Sequence, residues 1–231
     1  MFFELRPRTA FLSDINANLI ELYREIQENA EEVYDVASTF PLWENFYYDL
    51  RAMHPTSLTR RERAIRFLYL NRFCFNGVYR TNRSGLFNVP RGQNTGAWPA
   101  KHDFLTSAGL VRNAHFAESD FATALAGVGK KDFVYLDPPY VHSARSEYGQ
   151  YGYDSLNRME MQRFLDIVND LDRRGAYVLL SYTVSEEIAQ AVPERWRIHI
   201  KVQRNVAGFS EKRRKATEML IANYNPYHKF T

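Results

Sequence analysis

The amino-acid sequence predicts an α/β fold with an inserted helical segment, and three stretches of the chain support this prediction. Thr9 to Asp14 (TAFLSD) is a strand-like apolar run that ends in an acid, and the helical pattern LIELYREI follows it closely. Phe133 to Leu136 (FVYL) and Ala176 to Ser181 (AYVLLS) have the composition of buried strands, with an amphipathic helical pattern between them. Strands that alternate with helices in this way are typical of α/β proteins.

The first third of the chain reads as one strand followed by helices. Asn16 to Asn18 is a suitable helix start directly after the first strand, which gives half of a βαβ unit. From about Ala30 to Phe73 the pattern stays helical. We expect breaks at Pro41 and Pro55, because proline lacks the amide donor that a helix interior needs.

The remaining elements follow a stretch with little regular structure. Residues 76 to 95 are rich in glycine, asparagine and arginine without a sustained period, which predicts loops. Ser155 to Arg174 is an amphipathic helix that Gly175 is well placed to end. Two further strands are expected, around Trp196 to Val202 and over Thr217 to Tyr224.

This order of elements indicates one α/β domain interrupted by an insertion. Strand and helix alternate near the beginning of the chain and again after about residue 112. We therefore assign residues 1–44 and 106–231 to the α/β domain and residues 45–105 to the insertion.

The composition narrows the class of protein. Of 231 residues, 45% are hydrophobic and 25% are charged, which excludes wholesale disorder. A net charge of +3 is compatible with a polyanionic partner without being diagnostic of one. The single cysteine, Cys74, excludes a disulfide framework and a thiolate metal cluster. No apolar run approaches the ~18 residues of a membrane span, and a single cysteine fits a reducing compartment, so we expect a soluble, cytoplasmic protein. The six histidines have no metal-ligand spacing, so we expect no metal.

The sharpest motif is Asp137-Pro138-Pro139-Tyr140, which directly follows the predicted strand FVYL. A proline-rich turn is the plainer interpretation. However, the carboxyl ends of parallel strands are where α/β sheets bind ligands, and two prolines make a stiff loop that presents carbonyl oxygens. A carboxylate beside such a carbonyl can accept two hydrogen bonds from one amino group, and Tyr140 offers a ring on which a flat base can stack. The motif therefore favours a site for an exocyclic amine on a planar base.

Four blocks of the sequence, in order, carry a resemblance to a known family. They are FLSDINANLIELY (11–23), LNRFCFNGVYRTNRSGLFNVPRG (70–92), the DPPY motif with the preceding Asp120-Phe121, and RNVAGFSEKRRKATEMLIANY (204–224). On these blocks the chain resembles the Dam-like (D12 class) DNA N6-adenine methyltransferases, which use S-adenosyl-L-methionine. The resemblance implies a Rossmann-like methyltransferase sheet, with residues 45–105 as an inserted target-recognition domain.

The resemblance also implies roles for individual residues. Asp14 would lie at the ribose of the cofactor, and Asp120 with Phe121 would contact its adenine. Asp137 and the Pro138 carbonyl would accept hydrogen bonds from the target amine, which makes its nitrogen a better nucleophile. The target base would leave the duplex, at a cost of a few kcal/mol, and stack on Tyr140.

Double-stranded DNA is the partner that the resemblance implies. Arg80 is the candidate for a bidentate contact with guanine O6 and N7 in a GATC-like target, and Val78 with Pro90 would contact a thymine methyl group. Phosphate contact alone is the other interpretation of the arginines in this loop. The remaining candidates for DNA contact are Phe75, Asn76, Asn82, Lys212 and Arg213, of which the last two belong to a basic run that a solvated surface would also explain.

Compared with the family pattern, the sequence has no counterpart of a first strand and a glycine-rich F-x-G-x-G loop. The match begins at Phe2-Phe3-Glu4-Leu5-Arg6-Pro7, so we expect a chain that is truncated before that loop and binds the cofactor weakly. We also expect the protein to be a monomer. Two alternatives stay open. One is a non-catalytic DNA-binding remnant, and the other is methyl transfer to an amine of RNA or protein.

Overall fold

The computed structural model describes residues 1–138, 158–183, 192–203 and 215–225. It confirms a mixed α/β architecture and divides the chain near Ala124 into two units, each of which is described by itself. Pro139, Tyr140, Lys212 and Arg213 lie outside the described residues. Among the described helices, none is long and apolar enough to cross a membrane.

The first unit combines a parallel pair of strands with a group of helices. Strands β1 and β2 pair from Ala10 opposite Ala114 to Asp14 opposite Glu118. The predicted strand before Asn16 and the helical breaks near Pro41 and Pro55 are confirmed. In chain order the elements are α1 (Phe2–Leu5), β1 (Ala10–Asp14), α2 (Ala17–Thr39), α3 (Glu44–Ala52), α4 (Arg60–Phe73), α5 (Lys101–Val111), β2 (Ala114–Glu118) and α6 (Phe121–Leu125).

Local sequence explains where these helices begin. The Asn16 side chain accepts a hydrogen bond from the Leu19 amide and caps α2. At the start of α4, Thr59 accepts from the Glu62 amide, and the Glu62 carboxylate accepts in return from the Thr59 amide at 2.7 Å. This reciprocal pair is a capping box, so two main-chain donors at the helix end are satisfied.

Aromatic side chains fill much of the core of the first unit. Tyr47, Tyr69 and Phe73 are fully buried, and the Tyr69 and Phe73 rings lie 4.9 Å apart. Helices from the predicted insertion contribute to this core together with α2, since Ile20, Val33 and residues of α4 belong to one buried cluster. The proposed boundary at 45–105 therefore lies within a single packed unit.

In the residues that the structure describes, the second unit is a four-stranded mixed sheet with one α-helix and a short 3₁₀ helix (Glu194–Trp196). Strands β3 (Phe133–Leu136) and β4 (Tyr177–Thr183) are parallel, while β5 (Arg197–Gln203) and β6 (Lys215–Ala222) pair antiparallel, in the order β3-β4-β6-β5. Helix α7 (Arg158–Arg174) joins this unit and ends before Gly175, whose φ of 78° is readily adopted by glycine. The strands and the helix predicted for this part are thus present, with small changes at their ends. The prediction that FVYL is a buried strand is wrong, because Phe133 and Tyr135 of β3 are exposed.

Candidate functional site

The carboxyl end of the parallel pair in the first unit carries two of the predicted cofactor residues. Asp14 is the last residue of β1, and its exposed carboxylate accepts through Oδ1 from the Asn16 amide at 2.7 Å. The Asp14 carbonyl accepts from the Ser119 amide, which directly precedes Asp120. Parallel pairing therefore brings Asp14 and Asp120 to one edge of the two strands.

Asp120 and Phe121 stand at the start of the short helix α6. The Asp120 carboxylate accepts from the amides of Ala122 at 2.7 Å and Thr123 at 3.1 Å, so it caps the helix. Phe121 is half-buried. The capping bonds fix the direction of the carboxylate, and they give Asp120 a structural role beside the cofactor contact expected from sequence.

The tyrosine that precedes Arg80 links this edge to the loop of the predicted DNA contacts. The Asn18 side-chain amide at the start of α2 lies 3.4 Å from the Tyr79 hydroxyl, to which it donates. Burial raises the pKa of Tyr79, so its hydroxyl stays protonated at neutral pH. The side chain therefore ties α2 to the loop without adding charge.

The predicted DNA-reading residues occupy a short hairpin formed by residues 78–91. Thr81 and Phe87 form an antiparallel bridge, and Cys74 pairs with Arg91 at its base. The Asn82 side-chain oxygen closes the turn by accepting from the amides of Ser84 and Leu86, both at 3.0 Å. We call this structure the 78–91 hairpin.

Arg80 is exposed on the 78–91 hairpin, and among the described residues its side chain is held by Asn88. Its Nε donates to Asn88 Oδ1 at 2.8 Å, and one terminal nitrogen lies 3.4 Å from the Asn88 carbonyl, to which it donates. The Asn88 amide in turn donates to the Arg80 carbonyl at 3.1 Å. The Arg80 guanidinium is therefore held at Asn88 through both Nε and one terminal nitrogen.

The apolar DNA-contact candidates lie close to the base of the same hairpin. The Phe75 amide donates to the Pro90 carbonyl at 2.9 Å, so these two exposed residues are neighbours. Val78 is half-buried, and Asn76 is exposed with a left-handed φ of 54°. The structure thus brings the described DNA candidates of residues 75–90 to one loop region.

Side chains of helix α3 form hydrogen bonds to the main chain of the 78–91 hairpin. The Tyr47 hydroxyl and Arg51 Nη1 both donate to the Val89 carbonyl at 3.0 Å. The buried Arg66 of α4 donates from Nε to the Leu50 carbonyl at 2.8 Å and from Nη2 to the Arg51 carbonyl at 2.7 Å. Its guanidinium therefore caps the C-terminal end of α3, where a cation is favourable, although burial lowers its pKa.

The carboxyl end of β3 in the second unit carries the acid of the DPPY motif. Asp137 is exposed, and its Oδ1 accepts from the Ser181 hydroxyl at 2.8 Å. The Tyr135 hydroxyl lies 3.1 Å from the same serine oxygen. Among the described residues, no hydrogen bond reaches the other oxygen of this carboxylate, Oδ2.

Ser181 and Asn88 are functional candidates that the sequence did not single out. Ser181 belongs to a run that predicts only a buried strand, and Asn88 belongs to a loop full of polar residues. A polar residue near the end of an apolar run is only a weak indication of a functional residue. The strand pairing is needed to show which groups such a residue contacts.

Comparisons with known proteins show the family to which the chain belongs. Residues 1–206 match the sequence profile of the D12 class N6 adenine-specific DNA methyltransferases. The chain is 31% identical to a type II methyltransferase of Lactococcus lactis subsp. cremoris, across 97% of this chain and 82% of that protein. It is 30% identical to a DNA adenine methylase of Escherichia coli, across 93% of this chain and 79% of that protein. A type II methyltransferase of Methanocaldococcus jannaschii is 26% identical, across 94% and 81%.

Proposed function

Because the chain belongs to the D12 class of N6 adenine-specific DNA methyltransferases, we propose that it methylates the adenine N6 amine in a GATC-like site of double-stranded DNA, using S-adenosylmethionine. The observation that carries this proposal is the exposed Asp137 carboxylate at the carboxyl end of β3, with Oδ1 held by Ser181. An acceptor fixed in this way at the end of a parallel strand suits the recognition of an amine.

In the proposed reaction, Asp137 and Pro138 make the target amine a better nucleophile. The lone pair of an adenine amine is delocalised into the ring, so the nitrogen is a poor nucleophile. Hydrogen bonds from its two N–H groups, one to Asp137 Oδ2 and one to the Pro138 carbonyl, favour a tetrahedral nitrogen whose lone pair is localised. Such preorganised acceptors and fixed geometry can account for several kcal/mol of barrier lowering.

Two described acids, Asp14 and Asp120, are suited to bind parts of the cofactor. When bound, S-adenosylmethionine supplies an electrophilic methyl group on sulfur. Asp14 has its Oδ1 engaged by a main-chain amide, while no donor among the described residues reaches its Oδ2, which suits the hydroxyls of a ribose. Asp120 and Phe121, at the same edge of the strand pair, remain our candidates for the adenine of the cofactor.

The remaining parts of the proposal concern fold and DNA reading. Parallel pairs with acids at their carboxyl ends are consistent with a Rossmann-like sheet, and residues 45–105 form our proposed recognition domain. Within it, Arg80 is our candidate for guanine, with Val78 and Pro90 for a thymine methyl group and Phe75, Asn76 and Asn82 beside them. Lys212 and Arg213 are proposed phosphate contacts.

Methyl transfer from tritiated S-adenosylmethionine to duplexes with and without GATC tests the proposal. We expect incorporation into GATC duplexes, and a fall of about 100-fold or more in Asp137→Ala, because the amine loses a fixed acceptor. DNA affinity measured by fluorescence anisotropy should change by less than about threefold. Asp166→Ala, which removes an exposed carboxylate on α7 in the same unit, is the matched control and should keep full activity.

Three results would count against this function. A chain that binds duplex DNA without transferring methyl groups would be the non-catalytic remnant. Incorporation into RNA or protein in preference to DNA would move the substrate to another class. If Asp137→Ala retained more than a tenth of wild-type turnover, the role of the DPPY acid would be wrong.

A further inference from the structure

We propose that Ser181, supported by Tyr135, is a positioning residue that sets the orientation of the Asp137 carboxylate and so decides which of its oxygens meets the substrate amine. This inference rests on the proposed function, since it takes Asp137 as the acceptor of that amine. It concerns two side chains on neighbouring strands of the second unit.

The parallel pairing of β3 and β4 brings these groups together. Leu136 lies opposite Leu180, so the residue that follows each of them, Asp137 and Ser181, comes next along the same register. The Ser181 hydroxyl lies 2.8 Å from Asp137 Oδ1 although 44 residues separate the two in sequence. The contact is therefore a product of strand pairing and not of a local turn.

The direction of the hydrogen bonds follows from counting protons. A carboxylate can only accept, so the single hydroxyl proton of Ser181 goes to Asp137 Oδ1. The Ser181 oxygen is then an acceptor, and the Tyr135 hydroxyl 3.1 Å away must be the donor. A chain from Tyr135 through Ser181 to Asp137 results, in which each bond polarises the next.

Ser181 is itself rigidly held. It is 7% exposed, and its neighbours Leu180 and Tyr182 are buried almost completely. Strand β4 is paired on both sides, with Ser181 opposite Leu220 of β6. A hydroxyl on an inner strand can aim an exposed carboxylate more firmly than a loop residue could, because its backbone has little freedom.

As a consequence, the two carboxylate oxygens of Asp137 have different partners. Oδ1 is occupied by Ser181, and in the proposed function Oδ2 accepts one N–H of the substrate amine while the Pro138 carbonyl accepts the other. Without the serine hydroxyl, the exposed carboxylate can rotate and present its oxygens in several directions. Catalysis depends steeply on such geometry, since a displacement of about 1 Å can reduce a rate about 100-fold.

Steady-state kinetics of variants tests this role. We expect Ser181→Ala to lower kcat about 10- to 100-fold while KM for DNA stays within about threefold, because the serine acts through Asp137 and not on binding. Ser181→Thr retains a hydroxyl and should recover most of the activity. Tyr135→Phe should lower kcat less than Ser181→Ala, since Ser181 can still donate to Asp137. The control is Ser38→Ala, which removes a hydroxyl bonded to a main-chain carbonyl on α2.

Binding of the flipped target base, which we call base capture, distinguishes a positioning role of Ser181 from a purely structural one. A duplex with 2-aminopurine at the target position reports the unstacked base by fluorescence and lacks the N6 amine. Ser181→Ala should keep the wild-type fluorescence signal and midpoint of thermal unfolding. If kcat, base capture and thermal stability all fall together, or if kcat stays within threefold of wild type, the positioning role is wrong.

Crystal structures of the wild type and of Ser181→Ala give a result that does not depend on turnover. The Asp137 carboxylate should have a single orientation in the wild type and a rotated or split one in the variant. An unchanged orientation in Ser181→Ala would overturn the inference. Absence of methyl transfer by the wild type would instead overturn the proposed function, so the two failures are distinguishable.

Discussion

The hydrogen bonds between Arg80 and Asn88 affect the entropic cost at which a flexible arginine side chain can contact a base. An arginine has several rotatable bonds, and ordering it on DNA opposes binding. In the 78–91 hairpin, Nε of Arg80 is fixed by Asn88 Oδ1 at 2.8 Å. Asn88 therefore lowers the entropic cost of a contact by the terminal nitrogens, if these face the guanine edge as proposed.

At the residue scale, Asn88→Ala should weaken sequence discrimination at one guanine. A bidentate arginine contact contributes about 1–3 kcal/mol of discrimination, and we expect Asn88→Ala to lose about a third to a half of what Arg80→Ala loses. The measurement is competition between GATC duplexes and duplexes with that guanine replaced, for wild type, Asn88→Ala and Arg80→Ala.

The salt dependence of binding provides the check. If Arg80 contacts only phosphate, Arg80→Ala would weaken binding to all duplexes alike and lower the salt slope by about one unit. An Asn88→Ala effect equal on matched and substituted duplexes would likewise contradict a role in base reading.

Cys74 shows that a residue inside the matched DNA-recognition block can be purely structural. Its thiol donates to the carbonyls of Asn71 and Val78, and burial raises its pKa to about 11. The thiolate is the reactive form, so Cys74 is poorly suited to nucleophilic or redox chemistry at neutral pH.

At the scale of elements, ion pairs join α2 to α4. Arginines of α4 are paired with acids of α2, with Arg63 paired to Glu21 and Arg61 paired to Glu25. Glu25 is the central acid, since its side chain is only 4% exposed and Arg60 lies 3.4 Å away on its other oxygen. These charges therefore support packing between two helices, and they are not a free basic surface for DNA.

The Glu25 cluster predicts a specific loss of stability in acid. Burial opposes ionisation of Glu25, but hydrogen bonds from Arg61 and Asn29 outweigh it and lower its pKa below the ordinary 4.5. A carboxyl with a lowered folded pKa adds stability above its unfolded pKa, and this stability is lost as the pH falls through the folded value. We expect the free energy of unfolding to decrease from about pH 5 downwards.

Glu25→Gln isolates this contribution. The variant should lose about 1–2 kcal/mol of stability at pH 7, because a nearly buried group loses its charge-assisted hydrogen bonds. Its stability should also vary less than that of wild type between about pH 5 and pH 3. Urea unfolding at a series of pH values measures both effects. Glu28→Gln is the control, since Glu28 is 56% exposed, and a loss from it as large as from Glu25→Gln would contradict the argument.

At the scale of the whole molecule, the two units have separate groups of buried side chains. The main cluster of the first unit extends from Ile20 to Phe116. Buried residues of the second unit include Phe164, Leu171, Leu180 and Met219, which belong to α7, β4 and β6. Each unit therefore has apolar contacts of its own with which to support a fold.

A fragment of residues 1–126, which keeps α6 whole, should consequently fold by itself. We expect a helical circular dichroism spectrum and cooperative thermal unfolding. Trp98 is partly buried and packs against Tyr69 and Phe73, whereas Trp43 is exposed, so unfolding of the fragment should shift the tryptophan emission to longer wavelengths chiefly through Trp98. A fragment with a random-coil spectrum would show that the first unit depends on the remainder of the chain.

The sequence by itself determined the class of fold, the family and the residues with strong local signatures. Asp14 and Asp137 each follow an apolar strand pattern, and the breaks near Pro41 and Pro55 follow from the chemistry of proline, so short stretches of sequence were sufficient. Only the tertiary structure decided which distant groups meet. Ser181 reaches Asp137, Arg66 caps α3, and Glu25 neutralises arginines of α4. These contacts arise from strand register and helix packing, which join residues far apart in the chain and leave no local pattern from which they could be predicted.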